Sequence, residues 1–129
     1  MERLTRQRTT ILQALTAAQR PLLPQEILEA AQATLPRLGI ATVYRQIKQL
    51  VEEGELQVVR LPGDNARYEA ARHAHHHHHH FQCTVCQRVF DVHACPGDLA
   101  RLAPEGFTVE DHDLTLYGHC RDCRQQQAA

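Results

Sequence analysis

Two Cys-x2-Cys pairs, Cys83/Cys86 in FQCTVC and Cys120/Cys123 in GHCRDC, constrain this chain more than any other feature. A two-residue gap lets both thiolates of one knuckle reach a single ion, and two knuckles complete a tetrahedron. The pairs lie far apart in sequence, so the segment between them must fold back to bring the knuckles together. A closed shell of four thiolates suits zinc and leaves no open position for a substrate, which predicts a structural site. Redox-active thiols or free cysteines are the competing readings of the same residues. The fifth cysteine, Cys95, has no partner at knuckle spacing. It reads first as a small buried side chain, with a metal or redox role as the other reading.

All ten histidines and all five cysteines fall between His73 and Cys123, so metal chemistry belongs to the second half alone. The histidines at 75–80 are consecutive and run directly towards Cys83. That internal position marks them as native sequence and not an appended tag. In an extended run His76, His78 and His80 project to one side and His75, His77 and His79 to the other, so one run can feed two sites on opposite faces. Glu69, Asp91, Asp98 and His112 are the nearby donors that can complete them, and mixed nitrogen and oxygen ligation suits Zn, Fe or Mn. The plainer reading is an exposed tract that binds metals promiscuously.

The first half reads differently. Leu4, Ile11, Leu12 and Leu15 recur at helical spacing, with Thr5 available as an N-cap and Pro21 as a stop. A second helix is expected with Pro24 in its first turn, running towards Pro36. A third begins near Gly39, buries Val43, Ile47, Leu50 and Val51, and ends at Gly54. Its other face carries Thr42, Tyr44, Arg45, Lys48 and Gln49. LQVVRL and ARYEA around the turn signal PGDN then predict a β-hairpin. Three helices followed by a hairpin is the order of a winged helix-turn-helix, whose third helix enters the major groove while the hairpin touches the backbone. Residues 1–60 carry eight Arg/Lys against six Glu, whereas residues 61–129 carry six Arg against nine Asp/Glu, a mild asymmetry in the same sense.

Beyond the histidines, HFQC and RVFDV read as two short strands around the first knuckle, PGDLARLAP as a short helix, and FTVEDHDLTLYGHC as one or two strands. The expectation is therefore an α+β chain: a winged helix over residues 1–69, a hinge over 70–79 and a small α+β domain with a four-cysteine zinc site over 80–129. No apolar run approaches the roughly 20 residues that span a bilayer, and MERLTRQRTT lacks the apolar core of a signal peptide, which predicts a cytoplasmic protein without a membrane partner.

In this order GIATVYR, HHHHHHFQCTVC, RVFDV and HDLTLYGHCRDC resemble the ferric uptake regulator (Fur) family of bacterial metal-responsive transcription factors, from TRQR at Thr5 to Cys123. The resemblance implies a homodimer, held by the C-terminal domain, that binds palindromic operators in double-stranded DNA when a regulatory metal is present. It implies DNA contacts from Arg8, Thr42, Tyr44 and Arg45, and structural zinc on Cys83, Cys86, Cys120 and Cys123. It places a regulatory metal on Glu69, His78, His80 and Asp91, and a second metal on His77, His79, Asp98 and His112. The chain departs from the family pattern at Pro21, where members usually supply a histidine before the second helix, and at His79, where iron-type members usually have Asp. Zinc-sensing members often supply a cysteine just after the wing, where this chain has Ala71 or Arg72.

The functional expectation is a metal-dependent repressor in metal homeostasis, with Mn or Fe favoured over Zn as the sensed ion and no enzymatic activity. Two alternatives stand beside it: a peroxide-sensing repressor of the same fold, and a metal buffer or chaperone built on the histidine run. A zinc hydrolase using Asp111 or Asp113 as base is disfavoured, because no HExxH-type spacing of ligands and base is present.

Overall fold

The computed structural model describes residues 2–71 and 79–127. The chain divides into two compact units, Met1–His76 and His77–Ala129. The expected hinge therefore loses both ends to strands, because one strand runs to Ala70 and the next starts at His79. His77 and His78 lie outside the described residues.

The first unit contains α1 (Glu2–Ala18), α2 (Pro24–Ala31) and α3 (Ile40–Glu52), followed by β1 (Leu56–Val59) and β2 (Arg67–Ala70). The helices share one apolar core built from Ile11, Leu15, Leu22, Ile27, Leu28, Ala31, Leu38, Val43, Ile47, Leu50 and Leu56. Three sequence expectations are corrected. Thr5 lies inside α1 and does not cap it. Leu4 is 55% exposed and sits outside the core, because the apolar stripe of α1 begins only at Ile11. The second helix ends at Ala31, well before Pro36, and its last turn relaxes through the Thr34 N–H to Ala31 C=O bond (3.0 Å). Its start follows the expected chemistry: Pro24 occupies the first turn, and Glu26 Oε1 accepts the orphan Leu23 N–H at 3.0 Å. The chain leaves α3 through Gly54 at φ +78°, a conformation that side chains with a Cβ resist.

The wing is an antiparallel hairpin with Leu56 opposite Ala70 and Val59 opposite Arg67. Leu22, between α1 and α2, bonds to Tyr68 in both directions at 2.9 Å and ties the helices to the hairpin. Arg67 adds an ionic tie. Its side chain is only 2% exposed, and it meets Asp64 in the turn (2.6 Å) and Glu26 on α2 (3.4 Å).

The second unit is a three-stranded sheet ordered β4-β3-β5, made of β3 (His79–Cys83), β4 (Val89–Val92) and β5 (Thr115–Gly118). β3 pairs antiparallel with β4 and parallel with β5. The short helix expected in PGDLARLAP is a single 3-10 turn, Ala100–Leu102. FTVEDHDLTLYGHC supplies one strand, and α4 (Arg121–Gln127) follows the second knuckle. Gly118 lies under Phe81, and a Cβ there would come within 3.2 Å of the ring, so that position must stay small. Among the described residues no helix is long and apolar enough to cross a membrane.

Removing the buried guanidinium takes the close cation from Asp64 and leaves Glu26 with Arg20, at 2.9 Å. Arg67→Ala is therefore expected to destabilise the first unit by about 3 kcal/mol. The exposed Arg60→Ala should stay within about 0.5 kcal/mol of the parent. Chemical denaturation of the full chain, followed by circular dichroism, distinguishes the two.

Candidate metal centres and nucleic-acid face

The four knuckle cysteines converge in the second unit. Their ligand atoms lie within 4.8 Å of one another, and Cys86 Sγ is 3.8 Å from Cys120 Sγ. Tetrahedral zinc at Zn–S distances of ~2.3 Å requires sulfurs about 3.8 Å apart, so the spacing is that of a filled site. Cys83 ends β3, and its sulfur receives backbone N–H groups from Val85 (3.4 Å), Cys86 (3.5 Å) and Cys120 (3.4 Å). These bonds, led by that from Cys86, hold the Cys83 thiol down at about 5. Burial pushes Cys123 up to about 12 and also raises Cys86. One thiolate is thus prepared by the backbone, while Cys86 and Cys123 are held towards the thiol form until a cation is there to share. The donor set and the spacing fit zinc.

Consecutive residues of β3 serve opposite faces. His80 stands directly across from Asp91 of β4, with Nε2 3.4 Å from Oδ1. This is a nitrogen and an oxygen donor side by side, both largely buried. Glu69 is buried on β2 of the first unit, where its carboxylate accepts from Gln57 Nε2. Pro21, where a family histidine was missed in the sequence, is a fully buried part of the α1–α2 connection and offers no donor.

On the other face, His79 is 1% exposed and its ring stacks on His112 with centroids 5.0 Å apart at 27°. Cys95 Sγ lies between them, 3.4 Å from each Nε2. Asp98, expected here as a ligand, is not part of this group; its Oδ1 accepts the Ala100 N–H at 3.0 Å and starts the 3-10 turn. Cys95 is exposed, so the buried-side-chain reading of this residue is corrected as well. Leu114 N–H points at His79 Nδ1 (3.1 Å), so in the neutral ring Nε2 carries the proton and aims it at Cys95. Coordination through Nε2 would require the proton to sit on Nδ1, and the Leu114 bond would be given up. Such a bond is worth about 1 kcal/mol, small against the ~10 kcal/mol scale of zinc held by several protein ligands.

In the first unit Tyr44 is 55% exposed on α3, and Arg45 is exposed with its Nη2 donating to Thr42 Oγ1 at 3.0 Å, which orients the guanidinium along the outer face. Arg8 on α1 pairs with Glu53 just beyond α3, and this bond holds the Glu53 carboxyl below its ordinary range. The pair is exposed and solvent-screened, so a phosphate can replace the carboxylate at little cost. Arg3, Arg6 and Arg37 were not singled out in the sequence, yet they line one cleft of about 590 Å³ beside α1.

A winged helix carrying an exposed basic helix face, followed by an α+β unit built on a four-thiolate site, defines a metal-responsive DNA-binding regulator. The chain belongs to the Ferric uptake regulator family, whose model matches residues 2–117. Members are transcription regulators and not enzymes. Among curated relatives, the peroxide-responsive repressor PerR of Staphylococcus saprophyticus is 28% identical over 127 residues, covering 96% of this chain and 84% of that protein. The peroxide operon regulator of Bacillus subtilis is 28% identical over 129 residues, with 97% and 86% covered. Among solved structures, a zinc-bound manganese uptake regulator aligns with a TM-score of 0.75 at 25% identity, covering 88% of this chain and 87% of that one. The iron-containing ferric uptake regulator of Francisella tularensis aligns at 0.68 and 26% identity, with 92% and 91% covered.

Because thiols supply much of the packing around the knuckles, stripping zinc should unfold the second unit selectively. Cys120→Ser, or strong chelation of the parent, is expected to abolish bound zinc by elemental analysis. Hydrogen-exchange protection should be lost in β3, β4 and β5 while it persists in α1–α3. Retained protection throughout the sheet would remove the metal from its structural role.

Proposed function

We propose that this protein is a homodimeric repressor in metal homeostasis that binds a palindromic operator when a regulatory ion occupies Glu69, His78, His80 and Asp91. The observation that carries the reading is the side-by-side placement of His80 Nε2 and Asp91 Oδ1 on adjacent strands, at 3.4 Å. Glu69 lies on β2 of the DNA-reading unit, and the family resemblance assigns it to the same ion as His80 and Asp91. Without that ion, the two winged helices of a dimer would sample many separations. With it, both recognition helices are held to meet successive major-groove half-sites. Two carboxylates with imidazole form a harder set than thiolate, which favours Mn or Fe over Zn as the sensed ion.

On the DNA, Arg45 reads a guanine edge or pairs with a phosphate, and Tyr44 packs on a thymine methyl. Thr42 positions Arg45, while Arg8 contributes a backbone contact. Zinc stays on the four cysteines throughout as a structural ion. A second site in the metal-binding unit, expected on His77, His79 and His112, adds a further ion; Asp98, engaged with the Ala100 N–H, is not counted among its ligands.

A second reading is favoured by the kind of relatives found. Both curated relatives above are peroxide regulators, and iron at the His80–Asp91 site would place an oxidisable imidazole against a peroxide-reactive ion. Iron-loaded protein exposed to peroxide should then gain an oxygen on His78 or His80 by peptide mass spectrometry. An unmodified protein that stays on DNA rejects that reading.

The test of the main reading is operator binding by fluorescence anisotropy, with structural zinc retained and Mn, Fe and Zn titrated separately. The parent should gain roughly 5- to 150-fold in affinity with its cognate ion. Glu69→Ala should lose that gain without losing basal binding, and an undiminished gain would reject the coupling route. Arg45→Ala is expected to cost about 1–3 kcal/mol on a matched site and to relax base preference there.

A further inference from the structure

We propose that Cys95 is a metal ligand, and that His79, Cys95 and His112 form a nitrogen–sulfur site selective for zinc over manganese and iron(II). The inference concerns what this site binds, and it stands whether or not the ion governs DNA affinity.

Three observations converge. The first is geometric. Tetrahedral zinc, with Zn–S of ~2.3 Å and Zn–N of ~2.0–2.1 Å, requires N···S separations of about 3.6 Å. Cys95 Sγ lies 3.4 Å from His79 Nε2 and 3.4 Å from His112 Nε2, close to that requirement on both sides. The second is the origin of the three donors. His79 comes from β3, Cys95 from the chain after β4, and His112 from the approach to β5, yet their ligand atoms lie within 4.8 Å of one another. Separate segments delivering one donor atom each to the same point is the arrangement of a coordination site. The third is the position of the carboxylate. Asp98 is turned to the Ala100 N–H beyond Gly97 (φ +90°), so the thiol takes the place nearest the two imidazoles.

The donor set decides the ion. Two imidazoles and a thiolate are borderline-to-soft ligands, and the Irving–Williams order adds to the preference for zinc over iron(II) and manganese(II). The His80–Asp91 pair on the opposite face of β3 is harder. One strand therefore presents two adjacent histidines to sites of different metal preference, and zinc at Cys95 need not compete with manganese or iron at Asp91.

The test uses the full chain with zinc retained on the four knuckle cysteines. Cobalt(II) is added as the probe, and the thiolate-to-cobalt charge-transfer absorption is followed as a difference spectrum. The parent should develop this band, and zinc should suppress it far more effectively than manganese. Cys95→Ser should lose the band and weaken zinc binding by more than roughly 100-fold, beyond the effect of an outer-sphere change. Asp98→Ala should keep both. A second measurement needs no variant: alkylation of Cys95, read by peptide mass spectrometry, should slow when zinc is added. A charge-transfer band unchanged in Cys95→Ser, or Cys95 alkylation equally fast with and without zinc, overturns the proposal.

Discussion

Four sulfurs meeting at one point organise the second unit. Cys83 closes β3, Cys86 follows it in the same knuckle, and Cys120 and Cys123 bracket the start of α4. The backbone N–H groups of Val85, Cys86 and Cys120 all turn towards the Cys83 sulfur. Because Cys83 sits opposite Gly118 in the parallel pairing of β3 and β5, fixing the knuckles fixes that register, and with it the height of every histidine along β3. A one-residue slip would exchange His79 for His80 on each face. The thiolate cage thus holds together the ends of the sheet and also decides which imidazole meets Asp91 and which meets Cys95.

The two units are stabilised by different physics. The first has an apolar core to which all three helices and the wing contribute, and Arg67, the deeply buried cation among its described residues, is paired with two acids. The second packs Cys83, Cys120 and Cys123 against Phe90, a cluster in which sulfur stands where aliphatic carbon would otherwise be. A unit of this size that buries little hydrocarbon depends on a bound ion to offset its chain entropy. A bound ion therefore bears on the order of the second unit, while the first keeps an apolar core of its own.

The sequence reveals what period and spacing can carry. Helical recurrence located α1–α3, and the hairpin followed from β-branched residues around PGDN. Two-residue gaps place the zinc ligands, and period-2 alternation alone separates His79 from His80. It failed where neither rule operates. Thr5 looked like a cap because Leu4 looked like core, but Leu4 faces solvent and the helix starts earlier. α4 was missed because RDCRQQQ buries little besides Cys123 and so shows no stripe. That Cys95, and not Asp98, groups with His79 and His112 was not legible, because the chain around them is irregular and no periodicity tells which of two nearby donors lies closer. Cysteine at an unpaired spacing carried the only usable signal, and it was ambiguous until His79 and His112 were placed beside it.

That reassignment changes how the histidine run should be understood. A tract of identical donors suggests one undifferentiated sink for metal. The strand conformation of its last members prevents this, since neighbours on β3 point to opposite faces and each meets a partner of different hardness. His80 faces a carboxylate and His79 faces a thiol, each at 3.4 Å. The histidines supply the same imidazole to both sites, so discrimination between ions rests on the residue each one faces. Asp91 and Cys95 are four positions apart, one on β4 and one just beyond it, so one short stretch of chain supplies the residue that each histidine faces.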